Sequence, residues 1–581
     1  MDEVVKLKAK VYENNVLDKY EAVGTISGES YYLSVDQVKL LASRNLVYGV
    51  KLDSKHNKLY GTKEDLRKLK RVNKKFARNI VKSMPNVLVG IELKSFVNRN
   101  IKDYNERYIV SDIVKFCTTH NNIDDHKICI VYGLRRTGKT IAMLHTINKL
   151  RDYSRSAYVS LNSDVSVPDL FQILNKLLDA GIKYVFLDEI SEINGIILGC
   201  AQLSDFYAKM GLKVIISGTD SLLLELMSYH KLYDRCIKIH TTYIGYKEYN
   251  YIFNNNVDIM DYIRRGGVLV RSTFYDDTHT NDYVNSAISD NIRNSLVRSN
   301  NKHDYQNLID LNFRGLLKKA IEQSIASSNE ELTSRIIAEE YKNGDLGSAK
   351  QLVEQQFNIN ISLDTFEIEE LVRYYLGIAR FYDRNINDEC IKDLKYFFEV
   401  MGVLKTYTRY VDKRSQMVKV EANLFVQPGL RYNQCLVLFR SMLDSDSYRN
   451  LRYDIREALK NKLIEDLEGH ILEHTVIIAM LEKQKEYKGL NVTQFRFRGM
   501  EVDIAVKYKD SVNLYEVKRN KNIAARQYKW LVNKEFCDKI EYTIGGKVKN
   551  RYVLYLGEKK DIVDGDYTIK YRNISDFLKR L

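Results

Sequence analysis

The stretch Ile128-Cys129-Ile130-Val131-Tyr132-Gly133-Leu134-Arg135-Arg136-Thr137-Gly138-Lys139-Thr140 decides the fold. Five apolar residues of strand length run directly into GxxxxGK[ST], and the helix-forming IAMLHTINKL follows at once. A phosphate-binding loop requires that strand, loop and helix context. Its glycines let backbone N–H groups turn inward around phosphate oxygens, and the N-terminus of the next helix adds partial positive charge. Gly133, Arg136, Thr137, Gly138, Lys139 and Thr140 are therefore candidate ATP-binding residues. Lys139 would reach the β- and γ-phosphates, and the Thr140 hydroxyl would ligate Mg²⁺.

Downstream of the loop, Ala157–Val159, Tyr184–Leu187 and Val214–Ile216 are short, almost continuous apolar runs separated by helical stretches. Such runs suit strands buried on both faces, so the expected fold is α/β with a parallel sheet. Tyr184–Leu187 ends in Asp188-Glu189, about 50 residues after the loop. Asp188 would hold the metal through its water shell, and Glu189 would polarise the attacking water, both at the carboxyl end of a sheet strand. Val214–Ile216 leads into Ser217-Gly218-Thr219, where Thr219 is a candidate for sensing the nucleotide. Arg235, in KLYDRCIKIH, could place a cation near the transferring phosphoryl group of its own or a neighbouring subunit; a surface arginine is the plain alternative.

GLRRTGKT, VFLDEI, ISGTDSLLL, LYDRCIKIHTTYIGYKEY, YIRRGGVLV and YVNSAISDNIRNSL occur in the order found in a prokaryotic family of AAA+-like ATPases, which this chain resembles over roughly residues 100 to 530. Members of that family carry a C-terminal domain resembling the PD-(D/E)XK nucleases. The resemblance implies that Arg235 precedes a strand and an aromatic-x-Glu segment, here Tyr246-Lys247-Glu248, and that IKDLKYFFEVMGVLKTYTRYV contains a winged-helix-like segment. Where the family has a proline-containing turn, this chain has Thr241-Thr242-Tyr243.

The C-terminal region holds a second group of acids. Glu473 lies in the helical run GHILEHTVIIAML, Asp503 in Glu501–Val506, and Glu516 and Lys518 in LYEVK. A two-residue step puts Glu516 and Lys518 on one face of a strand, and Asp503 can lie beside them if the two strands form a hairpin. Close carboxylates need a cation, and Mg²⁺ or Mn²⁺ suits oxygen ligands. Lys518 could then orient water or stabilise growing negative charge. This pattern resembles the D…ExK core of the PD-(D/E)XK fold, with Glu473 as the helix-borne acid. His470-Ile471-Leu472-Glu473-His474 also reads as HxxEH, a zinc pattern, but a third ligand and a pocket would be needed.

Composition bounds the rest. The chain has 581 residues, a net charge of +14, 45% hydrophobic residues and only 3 Pro. That length predicts about three or four domains, and the apolar content excludes wholesale disorder. The expected division is a basic N-terminal α+β module with its linker over 1–100, a P-loop ATPase over 101–275, a helical and winged-helix-like region over 276–440, and a PD-(D/E)XK-like α/β domain over 441–581. In the first, Ser34 and Gln37 form a capping box, and positive charge is dense from Lys55 to Arg78. That run reads equally as a nucleic-acid contact or a solvated helix face. No apolar run reaches the roughly 18 residues needed to span a bilayer, and seven scattered cysteines without a CxxC pair read as reduced thiols of a cytoplasmic protein. The expected activity is ATP hydrolysis regulating a metal-dependent nuclease-like domain on DNA. A nucleotide-switched DNA- or protein-binding scaffold is the alternative, and a homo-oligomer or protein partner is compatible with either.

Overall fold

The computed structural model describes residues 2–11, 17–24, 30–34, 51–53, 58–62, 81–119, 127–269, 288–298, 305–324, 388–443 and 452–581, apart from a few isolated positions within these ranges. The first five strands, β1 (Asp2–Val11), β2 (Leu17–Gly24), β3 (Ser30–Ser34), β4 (Lys51–Asp53) and β5 (Lys58–Thr62), form an antiparallel sheet in the order β3-β2-β1-β5-β4. Of the basic run Lys55–Arg78, only Lys58–Thr62 falls among the described residues, and of the capping box only Ser34 does.

The central sheet contains β6 (Val87–Val89), β7 (Ile128–Tyr132), β8 (Ser156–Ser160), β9 (Tyr184–Asp188), β10 (Lys213–Gly218) and β11 (Cys236–His240), in the order β11-β7-β10-β9-β8-β6. All neighbours are parallel except β6, which runs antiparallel to β8. Two cores explain the unbroken apolar runs. Ile128, Ile130, Val185, Leu187, Val214 and Ile216 point into one core, and Cys129, Val131, Tyr184, Phe186 and Ile215 into the other, so each strand is buried on both faces. From β7 the chain passes to β8 at the far side of β9, then returns through β9 and β10. That crossover brings the carboxyl ends of β7, β9 and β10 side by side, where an open α/β sheet binds its ligand.

Helix α1 (Lys139–Leu150) leaves the phosphate loop, and α2 (Ser221–His230) follows β10. After β11 come α3 (Tyr246–Ile252) and α4 (Ile259–Arg265), then α5 (Asp290–Arg298). Helix α6 (Asp388–Val400) opens the segment compared with a winged helix; Gly402, at φ 69°, turns the chain into the hairpin β12 (Leu404–Lys413) and β13 (Gln416–Phe425). Helix α7 (Pro428–Leu443) precedes α8 (Tyr453–Glu486), which at 34 residues is the backbone of the C-terminal region. Leu459, Leu463, Leu467 and Ile471, spaced by four, bury one stripe of α8.

The last sheet has eight strands in the order β13-β12-β14-β15-β16-β17-β19-β18. It comprises the hairpin together with β14 (Leu490–Phe497), β15 (Met500–Tyr508), β16 (Ser511–Val517), β17 (Lys547–Tyr555), β18 (Lys560–Asp564) and β19 (Tyr567–Asn573), and α9 (Ile574–Arg580) closes the chain. Strand β12 pairs in parallel with β14, so the hairpin is hydrogen-bonded into the sheet that follows α8 and the sheet runs across residue 440. One apolar core joins Tyr246, Tyr249, Tyr262 and Ile263 of α3 and α4 to Leu467, Ile471 and Val476 of α8, Ile504 of β15 and Leu578 of α9. Among the described residues no helix is long and apolar enough to cross a membrane, and none of the seven cysteines is in a disulfide, six of them being buried.

Candidate functional site

Contacts from distant segments hold the phosphate loop in shape. Gly133, Arg136 and Gly138 have φ of 145°, 64° and 83°, and a Cβ on Gly133 would stand 2.2 Å from the Thr241 carbonyl oxygen. Thr241, which lies where the resembled family carries its turn, donates its N–H to the Tyr132 carbonyl at 2.7 Å, and its hydroxyl lies 2.8 Å from the Thr137 hydroxyl. Arg107 completes the clamp. Its guanidinium donates two 2.9 Å hydrogen bonds to Glu248 on α3 and a third to the Thr137 carbonyl. The Leu269 N–H donates to the Arg136 carbonyl at 2.7 Å.

Lys139 is buried at the first turn of α1 and donates to the carbonyls of Gly133 and Leu134 at 2.9 and 2.8 Å. Burial lowers its pKa to about 8, although Glu189 and Asp188 pull in the opposite direction. The Thr140 hydroxyl donates to Asp188 at 2.8 Å, Tyr158 donates to the same carboxylate at 2.6 Å, and Ser217 donates to its other oxygen. The Thr140 hydroxyl and the Asp188 carboxylate are thus adjacent oxygen donors at the helix N-terminus, a set that fits Mg²⁺. Glu189 adopts a left-handed conformation just past β9, and its carboxyl is raised by burial, with Lys139 opposing. Thr219 donates to Glu189 at 3.2 Å, and its carbonyl accepts from Asn291 of α5 at 2.6 Å. The structure therefore brings Gly133, Arg136, Thr137, Gly138, Lys139, Thr140, Asp188, Glu189 and Thr219 into one site.

Arg235 stands elsewhere. Its carbonyl accepts the N–H of Ile128, at the start of β7, whereas the loop leaves the end of β7 opposite His240. Five residues of strand, about 16 Å at 3.3 Å each, separate it from the level of its own loop. Its half-exposed side chain donates to Asp205 at 2.7 Å.

At the C-terminal site, β15 and β16 form the expected hairpin, with Ile504 opposite Tyr515 and Asp503 one step beyond. Asp503 accepts the Val517 N–H at 2.7 Å and the Lys518 ammonium at 3.3 Å, and Lys518 also donates to Glu516 at 2.5 Å. The second Glu516 oxygen is buried without a hydrogen-bond partner. Burial raises both carboxyls, with Glu473 adding to the effect at Asp503 and Asp503 at Glu516. Burial alone would lower Lys518, but Asp503 and Glu516 outweigh it and raise the ammonium above its ordinary value. Glu473 accepts instead from Gln494 at 2.8 Å and lies 3.6 Å from His470. Among the described residues no three His, Cys, Asp or Glu side chains gather to hold one metal, so Glu473, Asp503 and Glu516 do not close as a three-acid set. The same holds for HxxEH, where His474 lies 3.0 Å from the Arg431 guanidinium.

Sequence reasoning missed the roles of Arg107, Tyr158 and Thr241, because none has a local chemical signature and each is recruited from a distant segment. Only the break in the family pattern at Thr241 marked the spot.

Residues 125–250 match the family model described as an AAA domain. No curated protein matches the chain. Among solved structures, the ORC2 protein of Aeropyrum pernix in its ADPNP and ADP complexes is similar at 11% identity and a TM-score of 0.26, covering 62% of this chain and 95% of that one. CDC6P of Pyrobaculum aerophilum is similar at 10% identity and a TM-score of 0.20, covering 62% of this chain and 96% of that one. The family match coincides with the phosphate loop, the β9 acids and the parallel sheet, and so supports an AAA-like P-loop ATPase domain here with ATP as its ligand.

Proposed function

We propose that the protein hydrolyses ATP at the P-loop and uses its nucleotide state to control a C-terminal site acting on DNA phosphodiesters. Lys139 binds the terminal phosphates, Thr140 and Asp188 hold Mg²⁺, and Glu189, positioned by Thr219, takes up a proton from the attacking water. Mg²⁺ supplies charge neutralisation for the transferring phosphoryl group. Arg235 lies at the far end of β11 from its own loop, so a role at a nucleotide would be on a neighbouring copy in a homo-oligomer.

The observation that carries the C-terminal reading is the meeting of Asp503, Glu516 and Lys518 on one hairpin, with a buried Glu516 oxygen left unpartnered. A carboxylate pair of this kind fits Mg²⁺ or Mn²⁺ at Asp503 and Glu516, with Lys518 released to steady a developing phosphoryl charge and Glu473 on the flanking helix. This meeting of two acids and a lysine on one hairpin supports the reading as a PD-(D/E)XK-like site. A cytoplasmic location in a prokaryotic cell accords with cysteines outside disulfides and with the resembled family.

Metal-dependent cleavage of plasmid and single-stranded DNA, measured beside ATPase activity, tests this. Wild type should cleave, and Asp503→Ala and Glu516→Ala should lose cleavage while retaining ATP turnover. ATP turnover without cleavage under any nucleotide or divalent ion would overturn the nuclease reading in favour of a nucleotide-switched scaffold that holds DNA or a protein.

A further inference from the structure

A buried carboxylate that neither site uses lies between them. Glu468, on the buried stripe of α8, is 1% exposed and is gripped from two sides. Arg264, at the end of α4, donates to one oxygen at 2.7 Å, and Arg519 donates to the other at 2.7 Å. A fully desolvated carboxylate is costly unless it is paired and hydrogen-bonded. Two guanidiniums meet that requirement here, and each is supplied by a different functional region.

Arg519 directly follows Lys518, so its position is tied to the ammonium that holds Asp503 and Glu516. Arg264 leads the other way. Helix α4 packs on α3 through ring contacts of Tyr262 with Tyr246 and Tyr249, at 5.4 and 5.3 Å. Helix α3 carries Glu248, which fixes Arg107, and Arg107 grips the Thr137 carbonyl within the phosphate loop. The Arg264 carbonyl also accepts from Asn433 of α7 at 3.2 Å, which limits how α4 can move without disturbing its neighbours. A contiguous series of charge-assisted contacts and packed rings therefore runs from the phosphate loop to the acid hairpin, with Glu468 gripped from both regions.

We propose that Glu468, held between Arg264 and Arg519, is the positioning residue that couples nucleotide binding at the phosphate loop to the placement of Lys518 at the C-terminal site. This rests on the two-site reading above and adds its means of regulation. Coupling makes a strict demand: each ligand must change the affinity of the other by the same factor.

The full-length protein can be tested with a non-hydrolysable ATP analogue and Mg²⁺, following amide hydrogen exchange in the segment 511–519, and with a short fluorescent DNA duplex. In wild type the analogue should slow exchange at Val517 to Arg519 by about fivefold or more, and analogue and duplex should alter each other's affinity by equal factors in the ordinary range of about 5- to 150-fold. Glu468→Gln should bring both factors to about one. Because that variant can fail to fold, Arg264→Gln, at a half-exposed position with Arg519 still paired to Glu468, serves as the second: it should lose the coupling with its affinity for the analogue alone unchanged. Variants that respond like wild type overturn the proposal, as does a wild type that binds the analogue without any change in 511–519. A wild type whose exchange responds but which ignores the duplex upholds the coupling and overturns the DNA reading instead.

Discussion

Each of the two sites contains one lysine and two acids withdrawn from water, yet they arrange those charges in opposite ways. At the phosphate loop the Lys139 ammonium rests on the loop's own Gly133 and Leu134 carbonyls, while hydroxyls of Thr140, Tyr158 and Ser217 occupy Asp188. At the C-terminal hairpin the Lys518 ammonium rests on the acids themselves. The first site keeps its cation apart from its carboxylates and is therefore ready for a polyanion that arrives with a metal ion. The second is neutralised internally, and a divalent cation must compete with a lysine for the same oxygens.

The largest test of that contrast is Lys139→Ala. If the ammonium is reserved for phosphate, calorimetric titration should show ATP affinity reduced by about 10³-fold or more, with turnover lost as well. Persistence of ATP hydrolysis in this variant would remove the central assignment. Glu189→Gln comes next: it should leave ATP affinity nearly unchanged while lowering the single-turnover rate by about a hundred- to a thousandfold, the scale of a positioned base.

At the other site, Lys518→Met leaves two buried acids without their cation. Stability should fall by about 3 kcal/mol in the presence of a chelator, and added Mg²⁺ should restore part of it in thermal unfolding. An unchanged midpoint would mean that Lys518 does not neutralise the pair. The smallest effect is one of pH. The folded Lys139 pKa of about 8 lies below that of the unfolded chain, so the folded protein binds this proton less tightly and gains stability as pH rises from about 8 toward the ordinary lysine value of 10.5. Bound phosphates favour the charged form, so ATP affinity should fall by about tenfold per pH unit above 8, with uptake of one proton measurable by calorimetry in buffers of different ionisation enthalpy.

The phosphate loop was legible because its chemistry is local. Gly133 to Thr140 carry the backbone freedom, the ammonium and the hydroxyl within eight consecutive residues, and the apolar runs of β7, β9 and β10 announce strands buried on both faces. Asp188 and Glu189 were legible from their place at the end of such a run. Arg107 was not, because a buried arginine has no local signature: its partners, Thr137 and Glu248, lie 30 and 141 residues away. Arg235 was ambiguous for the same reason, since its distance from the loop depends on which end of β11 pairs with which end of β7.

The sequence by itself determined the elements and the chemical groups: a phosphate loop on a parallel sheet, an acid pair on a strand end, and D…ExK on two strands that could pair. Periodicity and motif spacing act over a few residues, and composition reports only the sum. Tertiary structure decided everything that depends on long-range approach. It joined the β12–β13 hairpin to β14, turned Glu473 toward Gln494 rather than into a three-acid set, put Lys518 between Asp503 and Glu516, and closed Arg264 and Arg519 on Glu468. The reason is electrostatic. A buried charge must find its counter-charge wherever the fold supplies one, and that choice is fixed only when the chain is packed.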